Sequence, residues 1–510
     1  MQDRDVLNLI KYIDENGFLY DGNSIDTRIT ALLSSLTRNP NNERHWRMLL
    51  RILKPKMIAQ DLINDPFTPY PFARDFSGEI RLGFVGLHEP YLKNEFDTAG
   101  VNKPTIAVAN SSSFCRHYLD IGATGSGKSI AFFGLQDEFL RIGRNYISIG
   151  FKRDGRHRIR QVSNLLVFII SQNANFGWNI TISPKGVAQK DWDLTWCRVF
   201  CETQNLSLGM ESMLLEFVEK LRKKNDVITI EMLYKEIKEA GFKAFRNVNW
   251  QASLVNRLEA LCRFNKMLNT SKPFPLEKLV ENYPIEFELD DAGEFKSTFA
   301  TLISVHLYKY RIANNLRGNE LWIEIFCDEA LFIGSKEIQR SCFLGEPMLF
   351  SLIRLAREFG IAFILATSES TSLSDTIKSN CYMQVFMGSN RFGEVLDFGR
   401  NANATKEQLE FIPKLLQGQG IMKMGNLNLF PITFPYVEIR KDVSESEIDE
   451  QNTRLLQGTE FEYVIKPELD VVIMKVPESN ELKPDEKAFL WDVYNRPYLN
   501  KQERMESISL

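Results

Sequence analysis

Residues 122–129 combine three glycines, an alanine, a threonine and a serine with one lysine and a final serine hydroxyl, in the order GATGSGKS. They fit the pattern G-x-x-x-x-G-K-[ST], and they lie between a short apolar run (117–121) and an amphipathic run that stops at Gly143. This is the strand-loop-helix setting of a phosphate-binding loop. Its backbone N–H groups converge on phosphate oxygens, and the start of the helix adds partial positive charge. We therefore predict that these residues bind a nucleotide.

Two residues of the loop have separate chemical roles. Lys128 supplies a full positive charge to the phosphates, and the Ser129 hydroxyl is a ligand for Mg²⁺. The remaining positions supply backbone N–H groups. The predicted nucleotide-binding set is Gly122, Ala123, Thr124, Gly125, Ser126, Gly127, Lys128 and Ser129.

Two adjacent carboxylates follow a second apolar run. Residues 321–327 (LWIEIFC) are typical of a buried parallel strand, and Asp328 and Glu329 come directly after it. The carboxyl ends of parallel strands are where an α/β sheet collects its ligand chemistry. In that position Asp328 would hold Mg²⁺, directly or through water, and Glu329 would orient and deprotonate an attacking water. Without the phosphate-binding loop, the pair would read as an ordinary solvated strand end.

The elements that must position these groups alternate between strands and helices. From about 117 to 435 the alternation predicts an α/β fold with a mainly parallel sheet. Charged helical sequence between 200 and 290 interrupts it and predicts an inserted helical subdomain. We therefore divide the chain into a helical N-terminal region (1–75), short strands leading into the core (76–116), a first core part (117–199), the helical insertion (200–290), a second core part (291–440) and a C-terminal tail (441–510).

Composition and charge exclude several classes of protein. The 510 residues include 62 Lys and Arg against 66 Asp and Glu, so the formal charge of -4 lacks the basic excess of a protein that coats nucleic acid. The longest apolar runs, 165–170 and 361–366, are about a third of the length that spans a bilayer. No secretory signal precedes them, and we expect a cytoplasmic protein. The seven cysteines and five histidines show neither a disulfide framework nor a zinc motif.

A basic run follows the predicted strand 146–150. Residues 152–160 (KRDGRHRIR) carry five Lys and Arg in nine positions. Such cations could line a channel and track DNA phosphates without reading sequence. The alternative is a solvated turn.

Three short motifs after the carboxylates resemble one family. They are A-R-E-F-G-I at 356–361, A-T-S at 366–368 and I-K-S-N at 377–380. Together with the lead-in RHYLDIGATGSGKS and the late turn L-Q-G-Q-G-I at 416–421, they resemble the HerA/FtsK superfamily of ATP-driven DNA-translocating motors, which includes the conjugative coupling ATPases. The resemblance covers about 115–425.

The resemblance implies a RecA-like core, use of ATP with Mg²⁺, and a homo-hexameric ring that moves along double-stranded DNA. It also implies a nuclease or other effector as partner, in DNA processing or in defence against mobile elements. Arg357 resembles the arginine that faces a neighbouring subunit's nucleotide and stabilises charge on the transferred phosphoryl group. Arg354, one turn away, is the alternate candidate, and a surface role for Arg357 is the other interpretation.

The chain departs from the family at Ser368, where a glutamine usually senses the γ-phosphate. A serine is too short to make the same contact unaided. Either Thr367, Ser368 and a water replace the glutamine, or hydrolysis is slow. The rival hypothesis is therefore an ATP-binding ring that acts as a scaffold, regulating a partner with little translocation.

Overall fold

The computed structural model describes residues 35–36, 45, 48, 66–67, 70–88, 105–318, 320–389 and 391–466. All of them belong to the unit Met1–Pro467, and the second unit, Glu468–Leu510, lies outside the described residues. Most of the predicted helical N-terminal region (1–75) also lies outside them, and residues 35, 36, 45 and 48 within it are helical.

One sheet of 11 strands forms the centre of the described residues, in the order β2-β1-β11-β10-β9-β3-β8-β7-β4-β6-β5. The seven strands from β9 to β5 are parallel, and β10, β11, β1 and β2 continue the sheet antiparallel. The predicted α/β fold with a mainly parallel sheet is confirmed. The strands are β1 (Ile80–Val85), β2 (Ile106–Ala109), β3 (Tyr118–Ile121), β4 (Tyr146–Gly150), β5 (Leu166–Ile169), β6 (Ile285–Glu288), β7 (Ile323–Cys327), β8 (Ile361–Thr367), β9 (Met383–Phe386), β10 (Gln419–Met424) and β11 (Phe430–Thr433).

Helices cover the sheet. In chain order the α-helices of the described residues are α1 (Ser111–Phe114), α2 (Lys128–Arg141), α3 (Gln189–Thr203), α4 (Leu208–Arg222), α5 (Ile230–Glu239), α6 (Phe245–Cys262), α7 (Asn265–Leu268), α8 (Leu276–Asn282), α9 (Lys296–Ala313), α10 (Leu331–Gly334), α11 (Lys336–Ser341), α12 (Met348–Leu355), α13 (Asp375–Asn380), α14 (Phe392–Ala402), α15 (Lys406–Phe411), α16 (Glu445–Leu456) and α17 (Glu462–Ile465). Among them, none combines the length and the apolar character that a bilayer crossing demands.

Aromatic packing fixes α2 on the central strands. Phe132 and Phe139 of α2 contact Phe326 of β7 with ring centroids 5.5 and 6.0 Å apart. Every residue of β7 and β8 is buried, as expected of parallel strands covered on both faces. The packing sets the start of α2 beside the carboxyl ends of β3, β8 and β7. It therefore decides which polar side chains meet at that edge.

The strand β6 lies within the interval 200–290 that the sequence predicted as a helical insertion. It pairs in parallel with β4 on one side and β5 on the other, so it is a strand of the core. Its sequence, IEFE, alternates apolar residues with two glutamates, and all four side chains are buried. Burial raises the pKa of Glu286 to about 8, and Glu288 pairs with Arg156. In the sequence these two glutamates cannot be distinguished from solvent-exposed charges. The strand was therefore included in the predicted helical insertion.

Residues at the start of the predicted C-terminal tail pack on the edge of the sheet. Asn452 of α16 donates to the carbonyl of Val167 in β5 (2.7 Å) and accepts the N–H of the same residue (3.1 Å). Its side chain thereby pairs with the outer edge of β5, which β6 leaves unpaired. The helix covers an edge that would otherwise expose backbone hydrogen-bonding groups.

Candidate functional site

The predicted phosphate-binding loop connects β3 to α2. Gly125 and Gly127 have φ of 84° and 109°, which side chains with a Cβ atom rarely adopt. Lys128 is the first residue of α2. Its Nζ donates to the carbonyl of Ala123 (3.0 Å) and to that of Gly122. The loop thus wraps back on its own lysine, in the strand-loop-helix geometry expected from the sequence.

The two predicted carboxylates lie on the same cavity as the loop. Asp328 and Glu329 follow β7, and together with Lys128 and Ser129 they line a cavity of about 500 Å³. The Oδ1 atom of Asp328 accepts the N–H of Phe151, which follows β4, at 2.8 Å. The residue that follows the neighbouring strand β4 therefore helps to hold Asp328. The structure brings together residues that are 200 positions apart in the sequence.

Burial shifts the charge states of these groups. Burial raises the pKa of Asp328 to about 7, although the hydrogen bond from the Phe151 N–H and the positive charge of Lys152 both act to lower it. Burial also raises the pKa of Glu329, and the charge of Lys152 is the largest of the effects that oppose this shift. The pKa of Lys128 is lowered, again by burial. Carboxyls with raised pKa values beside cations in a cleft are typical of sites that bind ligands or transfer protons.

The donor set at this edge fits Mg²⁺. That ion takes oxygen ligands and keeps several waters when it binds with phosphates, and Ser129 and Asp328 both present oxygens to the cavity. Within the described residues, the Oε1 atom of Glu329 is buried and has no hydrogen-bond partner. A buried acceptor without a donor is unfavourable, and a water placed between it and the phosphates would satisfy it.

Lys152 is a site residue that the sequence did not single out. It stands two residues after β4 and lines the same cavity as Asp328. In the sequence it was one of five cations in a basic run. Its position just past the carboxyl end of a buried parallel strand is the signal that distinguishes it from the others.

Ser368 follows β8, the strand that lies between β3 and β7, and it lines the cavity. Both its backbone N–H and its hydroxyl favour the charged form of Glu329 and lower the pKa of that carboxyl. The hydroxyl of Thr367 is directed to the following loop and not to the cavity, because it accepts a hydrogen bond from the N–H of Glu369 (3.2 Å). The residue in the glutamine position therefore acts on Glu329.

A third carboxyl, which the sequence did not indicate, lies under the loop. Asp120 of β3 is fully buried, and among the described residues neither of its oxygens has a hydrogen-bond partner. Burial raises its pKa to about 7, and the charge of Lys128 opposes the shift. Lys128 is therefore the cation that favours the charged form of this buried carboxyl.

One end of the cavity is apolar. Ile130 and Phe133 of α2 face Tyr436 and Ile439, which follow β11, and the ring of Tyr436 is 46% exposed. An adjoining cavity of about 260 Å³ has the late turn as its floor, since it is lined by Gly127, Ile130, Gln417, Gly418, Phe434 and Tyr436. The turn touches the loop directly, because the N–H of Gly418 donates to the carbonyl of Ser126 at 2.9 Å.

The prediction that residues 152–160 line a DNA channel is wrong for the arginines inside the run. Arg156 is 5% exposed and donates to Glu288 at 2.7 Å through Nε. Arg158 is 1% exposed and pairs with Asp137 of α2. These side chains neutralise buried carboxylates, so they are not free to contact phosphates. Arg160 is half-exposed and pairs with Glu447 of α16 at 2.6 Å.

Arg357 does not reach the cavity of its own chain. It is exposed and lies in the 3₁₀ turn Ala356–Phe359, which precedes β8. The whole of β8 separates it from Ser368 at the other end of the strand, roughly 20 Å for seven residues. Arg354 is half-exposed and pairs with Glu346. Neither arginine therefore contacts a nucleotide bound to the same chain.

The strand order, the loop and the carboxylates define a P-loop ATPase core of the RecA-like class. No protein-family model and no curated protein sequence matches the chain. Solved structures do match its fold. The plasmid coupling protein TrwB in complex with the ATP analogue ADPNP is 12% identical and aligns with a TM-score of 0.52 over 74% of this chain and 98% of its own.

Two further structures are similar. TrwB in complex with ADP and Mg²⁺ has 12% identity and a TM-score of 0.51, over 72% of this chain and 98% of its own. VirB4 of Thermoanaerobacter pseudethanolicus has 12% identity and a TM-score of 0.49, over 73% of this chain and 98% of its own. At this identity the likeness concerns the fold. It confirms the predicted fold, an α/β P-loop core with a mainly parallel sheet.

Proposed function

We propose that this chain binds ATP with Mg²⁺ and hydrolyses it, and that hydrolysis drives movement along double-stranded DNA in a homo-hexameric ring. The observation that carries the proposal is the shared cavity of Lys128, Ser129, Asp328 and Glu329 at the carboxyl edge of the sheet. These are the residue types that phosphoryl transfer to water requires.

Each residue has a role in the proposed hydrolysis. Lys128 exchanges the carbonyls of its own loop for the β- and γ-phosphates. Ser129 and Asp328 hold Mg²⁺, which neutralises charge on the phosphates when bound. Glu329 accepts the proton of the attacking water, and its raised pKa brings it nearer to the working pH. Ser368, which occupies the position where the family usually has a glutamine, holds the Glu329 carboxyl.

The apolar end of the cavity takes the base. Ile130 and Tyr436 line the same cavity as the phosphate-binding loop, and an aromatic ring provides a stacking surface. The TrwB structures in complex with ADP and Mg²⁺ and with ADPNP support ATP as the nucleotide, since they share this fold.

The position of Arg357 supports a ring. An exposed arginine at the amino end of β8 cannot assist hydrolysis in its own chain, but it is free to reach the site of a neighbour. TrwB is named a bacterial conjugative coupling protein, and that name together with the motif resemblance supports DNA as the track. We include in the proposal a nuclease or other effector as partner, in DNA processing or defence against mobile elements.

The second candidate function is an ATP-binding ring that regulates a partner with little translocation. Two observations favour it: the serine at position 368, and the use of Arg156 and Arg158 inside the fold. Both functions share the ATP site. They differ in whether DNA accelerates hydrolysis.

The deciding experiment measures ATP hydrolysis with and without double-stranded DNA, together with the native mass with and without ATP. Strong stimulation by DNA supports the motor, and indifference supports the scaffold. Lys128→Ala should abolish ATP binding, whereas Glu329→Gln should bind ATP without hydrolysing it. Glu369→Gln is the matched control, because Glu369 lies near the site but pairs with Arg391 at its surface. Wild-type turnover by Glu329→Gln would contradict the assignment of the base.

A further inference from the structure

A buried carboxylate accepts several hydrogen bonds from the loop that follows β8. Glu394, in the first turn of α14, is 4% exposed. Its Oε2 atom accepts the N–H and the hydroxyl of Ser370 at 2.5 and 2.8 Å and the N–H of Thr371 at 3.2 Å. Its Oε1 atom accepts the hydroxyl of Thr371 at 2.5 Å. One side chain thus satisfies four donors of two consecutive loop residues.

A second pair of residues holds the same loop to α14. Lys378 is 1% exposed and donates to both oxygens of Asp397, at 2.9 and 3.0 Å, and to the carbonyl of Ser370 at 3.2 Å. Asp397 lies three residues after Glu394 in α14, on the same side of the helix. The helix therefore fixes both the N–H and the C=O of Ser370.

The loop that α14 holds also carries Ser368, which lines the same cavity as Glu329 and lowers the pKa of that carboxyl. Ser370 is only two residues from Ser368, and its side chain is fully buried. The segment before α14 also contacts the phosphate-binding loop, because the N–H of Ala123 donates to the carbonyl of Gly388 at 3.0 Å. The helix is thus connected to two parts of the site without lining the cavity itself.

We propose that Glu394 is a positioning residue for ATP hydrolysis, acting through Ser368 on the Glu329 carboxyl. The inference rests on the proposed function, since it takes Glu329 as the base. Four donors of the loop meet the two oxygens of one buried side chain, so the length of Glu394 and the placement of its oxygens give the loop a single position. A displacement of about 1 Å in a catalytic group lowers the rate by on the order of 100-fold.

The test compares three variants of Glu394. Glu394→Ala removes all four hydrogen bonds to the loop. Glu394→Asp keeps the carboxylate, but its side chain is one methylene shorter and places the carboxylate farther from the loop. Glu394→Gln keeps one carbonyl oxygen for the three donors at Oε2 and presents an NH₂ group to the Thr371 hydroxyl, which can accept it. We expect kcat to fall by about 10- to 100-fold for Ala and Asp, and the Gln variant to stay within about threefold of wild type. The Kd for ADPNP, measured by titration calorimetry, should change less than about twofold.

A double-mutant cycle with Ser368→Ala separates positioning from loss of stability. If Glu394 acts through Ser368, Ser368→Ala should lower kcat in the wild-type chain and have little further effect in Glu394→Ala. Asn452→Ala is the matched control, because it also removes a buried side chain that bonds two backbone groups, but at the far edge of β5. It should lower the unfolding temperature and leave kcat unchanged.

Several outcomes would overturn the inference. They are wild-type kcat in folded Glu394→Ala, independent effects of the two substitutions in the cycle, and equal losses of kcat in the Asn452 control. Should Glu394→Ala fail to fold, wild-type kcat in both Asp and Gln variants overturns it equally. A wild-type chain without ATPase activity, or an active Glu329→Gln variant, refutes the proposed function and the inference with it. An active wild type with indifferent Glu394 variants refutes the inference alone.

Discussion

The ring of Tyr436 should determine how tightly the chain binds a nucleotide base, and its contribution is measurable apart from that of the phosphates. Stacking of a base on an aromatic side chain contributes about 1–3 kcal/mol. Since Tyr436 is 46% exposed, we take the lower part of that range. A loss of about 1–2 kcal/mol on substitution to alanine corresponds to a Kd about 5- to 30-fold higher.

The assay is titration calorimetry with two probes, ADPNP and inorganic tripolyphosphate. Tyr436→Ala should weaken binding of ADPNP by that factor and leave the Kd for tripolyphosphate unchanged, because only the first probe has a base. Tyr436→Phe keeps the ring and is the control; its Kd for both probes should stay within about twofold of wild type. Lys128→Ala should lose both probes.

Two results would refute the reasoning about Tyr436. An unchanged Kd for ADPNP in Tyr436→Ala would mean that the base lies elsewhere. An equal loss for tripolyphosphate would mean that the substitution disturbs the phosphate-binding loop, which touches the turn at Gly418.

Three other predictions follow from the site and its surroundings. If Arg357 acts on a neighbouring subunit, an inactive Arg357→Ala chain mixed with an inactive Glu329→Gln chain should recover some ATPase activity, because certain interfaces combine an intact arginine with an intact base. Arg156→Ala should lower the free energy of unfolding in urea by about 3 kcal/mol, the low end for a broken buried ion pair, since it leaves Glu288 buried with only Arg153, 3.9 Å away, as a counter-charge, whereas Arg160→Ala should leave the unfolding midpoint nearly unchanged. Burial lowers the pKa of His117 from 6.5 to about 4, so the unfolded chain binds more protons between these values, and stability should fall by about 3 kcal/mol as the pH drops through that window.

Each of these predictions has a result that contradicts it. Normal hydrolysis by Arg357→Ala alone would return that arginine to a surface role, and Arg354→Ala is its control. Equal unfolding midpoints for Arg156→Ala and Arg160→Ala would show that the buried pair contributes no more than the exposed one. For His117, the slope of the unfolding free energy against pH is compared between wild type and His117→Gln. That variant should be flatter than wild type between pH 4 and 6.5, and identical slopes would assign the protons to other groups.

The local parts of the site were predictable from the sequence. Eight consecutive residues determine the phosphate-binding loop, because its glycines and its lysine act through the backbone of the same segment. The carboxylates after β7 were predictable for a related reason, since an apolar run that ends in acidic residues indicates both a buried strand and its functional end. The strands expected at 117–121, 146–150 and 321–327 agree with β3, β4 and β7 to within two residues at each end.

Tertiary packing alone decided the rest, because it depends on pairs of residues that are far apart in the chain. The arginines of the basic run are neutralised by carboxylates that lie 132 and 21 positions away, so charge density by itself did not reveal whether they face solvent. The strand β6 carries two buried glutamates, and one of them, Glu288, is paired with Arg156 from a distant part of the chain. Glu394 bonds a loop 24 and 23 residues earlier, with no motif to mark it. A sequence shows which groups are charged, and the fold decides which of them meet a partner away from water.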